Sequence, residues 1–225
     1  MSELVFGLYF EGSTDESFLS SVIRRITTEI LVKYDRGDVW SDIILIPVKP
    51  QKNGSQEQKI LAAATEACGY HLLIVHADAD APTSVKARKM LFDPGLKLVR
   101  QAGESACQDL LPIIPIQEME AWLLTDKSAL LKELGTNKSA SELGIPPLRQ
   151  IESIAQPKER LEHIVRLVNQ SRPRSRPIER GDLYEPMGKT VSLAKLAELS
   201  ACQLFISDLT EVLIHLGVIP YKTDH

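Results

Sequence analysis

Short apolar runs separated by segments of helical spacing fill the first half of this chain and dictate its fold class. Leu4-Val5-Phe6-Gly7-Leu8-Tyr9-Phe10, Ile43-Ile44-Leu45-Ile46-Pro47-Val48, Leu72-Leu73-Ile74-Val75-His76 and Leu110 to Ile116 are each nearly continuous in apolar character. A strand with one wet face alternates, whereas an uninterrupted apolar strand is covered on both faces, as in a parallel sheet. Between these runs Phe18, Leu19, Val22, Ile23, Ile26 and Ile30 recur at helical spacing, and Ser55 to Cys68 is an alanine-rich helical segment. Ser13-Thr14-Asp15-Glu16 reads as a helix start, with Ser13 as cap and Glu16 closing a capping box. A further helix is predicted within Thr83–Arg100, interrupted by Asp93-Pro94-Gly95, and another from Glu118 to Leu134. Pro112 and Pro115 push the fourth run toward a sheet edge. The alternation predicts βαβ units, right-handed crossovers and a mainly parallel sheet flanked by helices.

After about Gly135 the strand signal stops. Pro157–Val168 and Val191–Leu216 read as helices, the second broken near Ser200, with a proline- and arginine-rich loop at 171–180 between them. The expected organisation is an α/β core over 1–125 and a helical C-terminal region over 126–225. With 44% hydrophobic residues among 225, the chain has enough apolar surface for a real core, which excludes disorder. No apolar run approaches the ~20 residues of a membrane helix. Glu3 and Glu11 flank the first run where a signal peptide carries positive charge, so no leader and no membrane association are expected. Cys68, Cys107 and Cys202 are widely spaced and form no CxxC, which disfavours zinc and disulfide frameworks and suits a cytoplasmic protein. A net charge of −4 argues against a surface that binds polyanions everywhere, but leaves room for a local basic patch.

The acidic residues fall in a pattern. Glu11 follows the first run, Asp78 and Asp80 the third, and Glu118 and Glu120 the fourth. Loops after neighbouring parallel strands share one edge of the sheet, where ligands bind, so these clusters are expected to converge. Carboxylates held together repel, and a cation relieves that cost. A set of oxygen donors without His or Cys suits Mg²⁺ or Mn²⁺ better than zinc. Each residue also has a plainer reading. Glu16 serves as a helix cap, and Asp15 suits the helix dipole as well as it suits a site. Asp80 fits a turn before Pro82, Trp122 fits the core, and His71, His76 and His163 lack ligand spacing and read as structural.

Phe10-Glu11-Gly12-Ser13-Thr14-Asp15 resembles the Glu-Gly-x-x-Asp/Glu signature that opens a Toprim domain, and Asp78-Ala79-Asp80 resembles the Asp-x-Asp of that fold. Glu120-Ala121-Trp122-Leu123 is similar to the Glu-Ala-Trp of small stand-alone, OLD-nuclease-like Toprim proteins of bacterial defence loci, and Gly188-Lys189 through Leu216 is similar to their closing segment. The resemblance covers about the first 125 residues. It departs where some relatives carry a third acid two residues beyond Asp-x-Asp and this chain has Pro82.

The resemblance implies a Toprim-like Rossmannoid core and a metal-dependent nuclease of anti-phage defence, acting on DNA or RNA, transfer RNA among them, as in PARIS-type systems. It further implies an ABC-type ATPase partner, and a homodimer through the apolar C-terminal helices is a possible assembly. Asp78 and Asp80 would hold Mg²⁺ or Mn²⁺, with Glu11 as a further ligand or general base. Glu120, with Glu118 or Asp15, would complete a second site, and Lys189 would offset phosphate charge or else is a solvated lysine. Arg172, Arg174, Arg176 and Arg180 form a basic stretch suited to a nucleic-acid backbone, or a solvated linker. Two other classes stand beside the nuclease. One is a Toprim-shaped module that binds nucleic acid or an ATPase without cleaving. The other is a haloacid-dehalogenase-like phosphatase with Asp78 as nucleophile, although Thr83 comes one residue late and Glu11 and Glu120 are left without a role.

Overall fold

In the computed structural model, residues 3–10, 12–37, 42–48, 54–173 and 177–221 are described. Strands β1 (Glu3–Tyr9), β2 (Asp42–Val48), β3 (Leu72–His76) and β4 (Leu110–Ile113) form one parallel sheet in the order β2-β1-β3-β4. The two proline-bearing strands are the outer ones, where a missing N–H breaks the fewest bonds. Helices α1 (Ser13–Lys33) and α2 (Gln56–Glu66) connect the first three strands. The last crossover runs through α3 (Ser84–Ala87) and α4 (Asp93–Ala102). The sequence was expected to break this helix at Asp93-Pro94-Gly95. Instead the path stays helical from 84 to 102, widening into a π turn at Arg88–Phe92 just before Pro94. Pro94 then sits in the first turn of α4, where its absent N–H has no partner to lose.

Side chains alternate across the sheet. Leu4, Phe6, Leu8, Leu72, Ile74, Leu111 and Ile113 face one apolar layer, and Leu73 and Val75 face a second, smaller one with α2 and its neighbours. The larger layer includes α1 and the C-terminal helices α5 (Glu120–Leu123), α6 (Lys127–Glu133), α7 (Pro157–Asn169), α8 (Tyr184–Thr190), α9 (Leu193–Leu196) and α10 (Ser200–His215). One core thus joins both halves of the chain. Several boundaries differ from the sequence reading. Gly12, not Ser13, is the N-cap of α1, and no side-chain cap bond forms there. The helix expected over Glu118–Leu134 is split at Asp126, and α8 lies in a stretch where none was expected. Among the described residues, no helix is long and apolar enough to cross a membrane.

Asp126 explains the split. Its Oδ1 accepts the N–H groups of Ser128 and Ala129 at 3.1 and 3.2 Å and the Lys195 ammonium at 2.7 Å. Its Oδ2 accepts the Ser192 N–H at 3.1 Å, so one carboxylate caps α6 and ties it to α9. Burial pushes this carboxyl up, but the Lys195 ammonium and the N–H groups of Ala129 and Ser192 outweigh it and hold it below its ordinary 3.8. A carboxyl lowered on folding adds stability above its unfolded pKa, and that stability is lost as pH falls through the folded value. The advantage of wild type over Asp126→Asn in urea unfolding should therefore be constant near neutrality and shrink below about pH 4. An advantage that grew with acid would contradict this linkage.

Helices α1 and α8 approach closely at Gly188. A Cβ built there lies 2.6 Å from the Phe18 carbonyl oxygen and 3.1 Å from its Cα, and backbone cannot step aside as a side chain can. Arg25 of α1 fastens the crossing by donating to the carbonyls of Gly188 at 3.0 Å and Val191 at 2.7 Å. Gly188→Ala is expected to destabilise by about 1–3 kcal/mol, even though alanine is the better helix former by about 1 kcal/mol. Thermal unfolding of the variant checks this, and an unchanged or raised Tm would contradict the close approach.

Candidate functional site

The carboxyl ends of the strands share one edge of the sheet. Past β3 and β4 the two chains remain hydrogen-bonded to each other. Ala77 N–H donates to Ile113 O at 3.3 Å, Ala79 N–H to Pro115 O at 3.1 Å and Asp80 N–H to Gln117 O at 2.9 Å. This extension carries the Asp78 loop alongside the segment bearing Glu118 and Glu120. Asp78 Oδ1 accepts the Met119 N–H at 2.9 Å, which fixes its carboxylate between the two loops. The extension ends where Asp80 and Gln117 both turn left-handed, at φ 48° and 62°. Aspartate tolerates that conformation better than most residues.

His76, the last residue of β3, continues the alternation of Leu72 and Ile74 and faces the α1 layer. It is 1% exposed, with Nε2 3.5 Å from Asp78 Oδ1 and Nδ1 3.8 Å from Asp15 Oδ2 in the first turn of α1. Neither ring nitrogen makes a hydrogen bond among the described residues. The imidazole is therefore sandwiched between two carboxylates, with the Phe10 ring 6.0 Å away.

Glu120 is buried at the start of α5. Its Oε1 accepts the Tyr184 hydroxyl at 2.6 Å and Arg180 Nη1 at 3.1 Å, and Arg180 also stands 3.6 Å from Glu162. Burial first, then the bond to Glu120, raise the Tyr184 hydroxyl well above its ordinary pKa, so it stays a donor. The negative charge of Asp15, in the first turn of α1, adds weakly to the same upward shift. Glu118 Oε2 accepts the Lys158 N–H from the first turn of α7 at 2.9 Å. Burial, and after it the negative charges of Glu120 and Asp78, nonetheless raise the Glu118 carboxyl above the usual range.

Of the residues singled out from sequence, Asp15, Asp78, Glu118 and Glu120 come together. Asp80 does not join them. Its carboxylate is exposed and makes no hydrogen bond or ion pair among the described residues. Lys189 lies on the exposed side of α8, paired with Glu185 at 2.6 Å. Arg172 donates to the Leu134 carbonyl at the end of α6. Arg180 is turned inward onto Glu120. Glu11, Arg174 and Arg176 lie outside the described residues.

Two members of this group carried no functional expectation. His76 was read as structural, yet its place two residues before Asp78 puts both on one side of the extended chain. Tyr184 belongs to α8, whose Pro186 and Gly188 disguise the apolar spacing of Leu183, Tyr184, Met187 and Val191.

The carboxylates offer hard oxygen donors of the kind Mg²⁺ and Mn²⁺ accept. Asp78 Oδ2, Glu118 Oε1 and Glu120 Oε2 carry no hydrogen bond among the described residues. In chemistry the set fits such an ion. In number, no group of three or more His, Cys, Asp or Glu among the described residues stands close enough to hold one.

No curated protein and no solved structure matches the chain. The family model described as a domain of unknown function, DUF4276, matches residues 10–198, a span from the end of β1 through α9 that takes in every member of the acidic cluster and its Tyr184–Arg180 clamp. The chain belongs to the DUF4276 family.

Proposed function

We propose that this protein is a divalent-metal-dependent nuclease that hydrolyses phosphodiester bonds of DNA or RNA. The observation that carries the reading is the cluster at the sheet edge. Glu118 sits within electrostatic reach of both Asp78 and Glu120, and Asp78 stands 3.5 Å from the buried His76; among the described residues Arg180 is the one cation ion-paired to these carboxylates. An enzyme gains little from such repulsion unless a cation arrives with the substrate. Bound Mg²⁺ or Mn²⁺ would supply an acidified water and charge neutralisation at the phosphate.

The chain's own residues have separable parts in this reading. Asp78, fixed by Met119 N–H, and Glu118 offer donor oxygens, with Glu11 as the further ligand or the base. Tyr184 and Arg180 hold Glu120 by one oxygen and leave the other open. Asp80 and Lys189 keep the parts that the resemblance implies, a ligand and a phosphate-facing cation, only if substrate draws them inward. The order of Glu-Gly-x-x-Asp, Asp-x-Asp and Glu-Ala-Trp along the sequence supports the same chemistry, and with it a role in anti-phage defence beside an ATPase partner.

The test is incubation of the full chain with DNA and with total transfer RNA, in Mg²⁺, Mn²⁺ or EDTA. Cleavage that needs the ion is expected. Equal cleavage in EDTA would contradict the reading, and ion-independent binding without cleavage would favour a non-catalytic module.

A further inference from the structure

A cavity lies away from the sheet edge, on the outer side of α7. Its volume is about 590 Å³, and Arg160, His163 and Arg166 line it, together with Glu159, Gln150 and Gln156. The three basic residues are exposed and follow one another at intervals of three on the helix, so they share a face. No carboxylate pairs with either arginine within 4.0 Å among the described residues, unlike Arg88 and Arg180, which are both paired. A second cavity of about 520 Å³ shares Glu159 and Arg166 with the first and reaches Arg180, the residue clamped to Glu120. The N-terminal end of α7 touches the acidic cluster directly, through Lys158 N–H and Glu118. One helix therefore joins a basic groove to the carboxylate edge.

We infer that the α7 groove of Arg160, His163 and Arg166 binds the phosphodiester backbone of a single nucleic-acid strand and leads it toward the acidic edge. Arginine presents paired donors that match phosphate oxygens. From Arg160 to Arg166 the helix rises roughly 9 Å, a spread that a lone phosphate does not fill. Glu159 lies on the border of both cavities, whereas Glu162 and Glu179 line the second alone and would repel a second strand there, which limits the groove to one. The direction of travel rests on the proposed hydrolysis; the binding itself does not.

The test is fluorescence anisotropy of the full chain with labelled single-stranded DNA and RNA of one sequence, in EDTA so that no cleavage occurs. The double variant Arg160→Ala with Arg166→Ala is compared with wild type and with Asp78→Asn. The double variant should bind at least about tenfold more weakly, and the slope of log K against log salt should fall by about 1.4. Asp78→Asn should bind as well as wild type or better. Both arginines are exposed, so matched thermal unfolding should show the double variant folded, and the single charge reversal Arg166→Glu should weaken binding in the same direction. The relative affinities for DNA and RNA identify which backbone the groove takes. Unchanged affinity and slope in the double variant, no binding by wild type, or equal competition by poly-glutamate would overturn the inference. Ion-dependent cleavage that survives the double substitution overturns the groove alone, while binding without any cleavage leaves the groove and removes the hydrolysis.

Discussion

Asp78→Asn should reduce ion-dependent cleavage at least ~1000-fold while leaving the fold intact. Removal of one electrostatic stabiliser of a transition state costs roughly 10²–10³ in turnover. Loss of a ligand also weakens the generation of the attacking hydroxide, so the larger figure is the floor. The substitution is clean because Asn keeps an oxygen where Asp78 Oδ1 accepts the Met119 N–H. Asp78→Ala would leave that N–H without its partner, at about 1–3 kcal/mol, and would confuse stability with chemistry. Glu11→Gln is expected to match Asp78→Asn in activity. Cleavage by folded Asp78→Asn within tenfold of wild type would remove Asp78 from the chemistry.

Trp122→Ala should destabilise by about 3–5 kcal/mol, the cost of emptying a large aromatic site in a packed core. Trp122 is fully buried in α5, two residues after Glu120. At about 2–4 °C per kcal/mol for a chain of this size, Tm should fall by roughly 6–20 °C. Trp122→Phe should lose less than half as much. It keeps most of the aromatic contact and removes an indole N–H that is buried without a partner among the described residues. Equal losses for the two variants would mean that the indole N–H, not the volume, is what the site needs. Urea unfolding of both variants separates these outcomes.

The core was legible because both of its periodicities are strong. The continuous apolar runs could only be strands covered on both sides, and all four became strands of one parallel sheet. The outer position of β4 also followed from its prolines' missing N–H, whereas that of β2, which carries Pro47, was not foreseen. Boundaries failed where a long-range bond overrode a local preference. Asp126 cut one helix in two because Ser192 and Lys195, more than sixty residues away, complete its set of donors. Near Pro94 the backbone absorbed the proline with a π turn rather than a break, a choice no composition signal records.

The site was legible only as far as strand order carries residues to one edge. Asp78, Glu118 and Glu120 follow directly from that rule. His76 did not, because a lone histidine in an apolar run has no signature until its neighbours are placed. Arg180 was read with the basic stretch as a nucleic-acid contact or part of a solvated linker, yet in the structure it turns inward onto Glu120. The basic face of α7 was hidden for the opposite reason, since Glu159 and Glu162 dilute its charge along the sequence, while the fold gathers Arg160, His163 and Arg166 along one groove that Glu159 also borders.

Titration calorimetry with Mn²⁺ addresses the ion directly, without any substrate. Wild type should bind the ion saturably, and Asp78→Asn and Glu11→Gln should each abolish that binding or weaken it at least tenfold, with thermal unfolding showing both variants folded. Mn²⁺ binding of undiminished strength in both variants, or none in wild type, would mean that these carboxylates do not share a divalent ion.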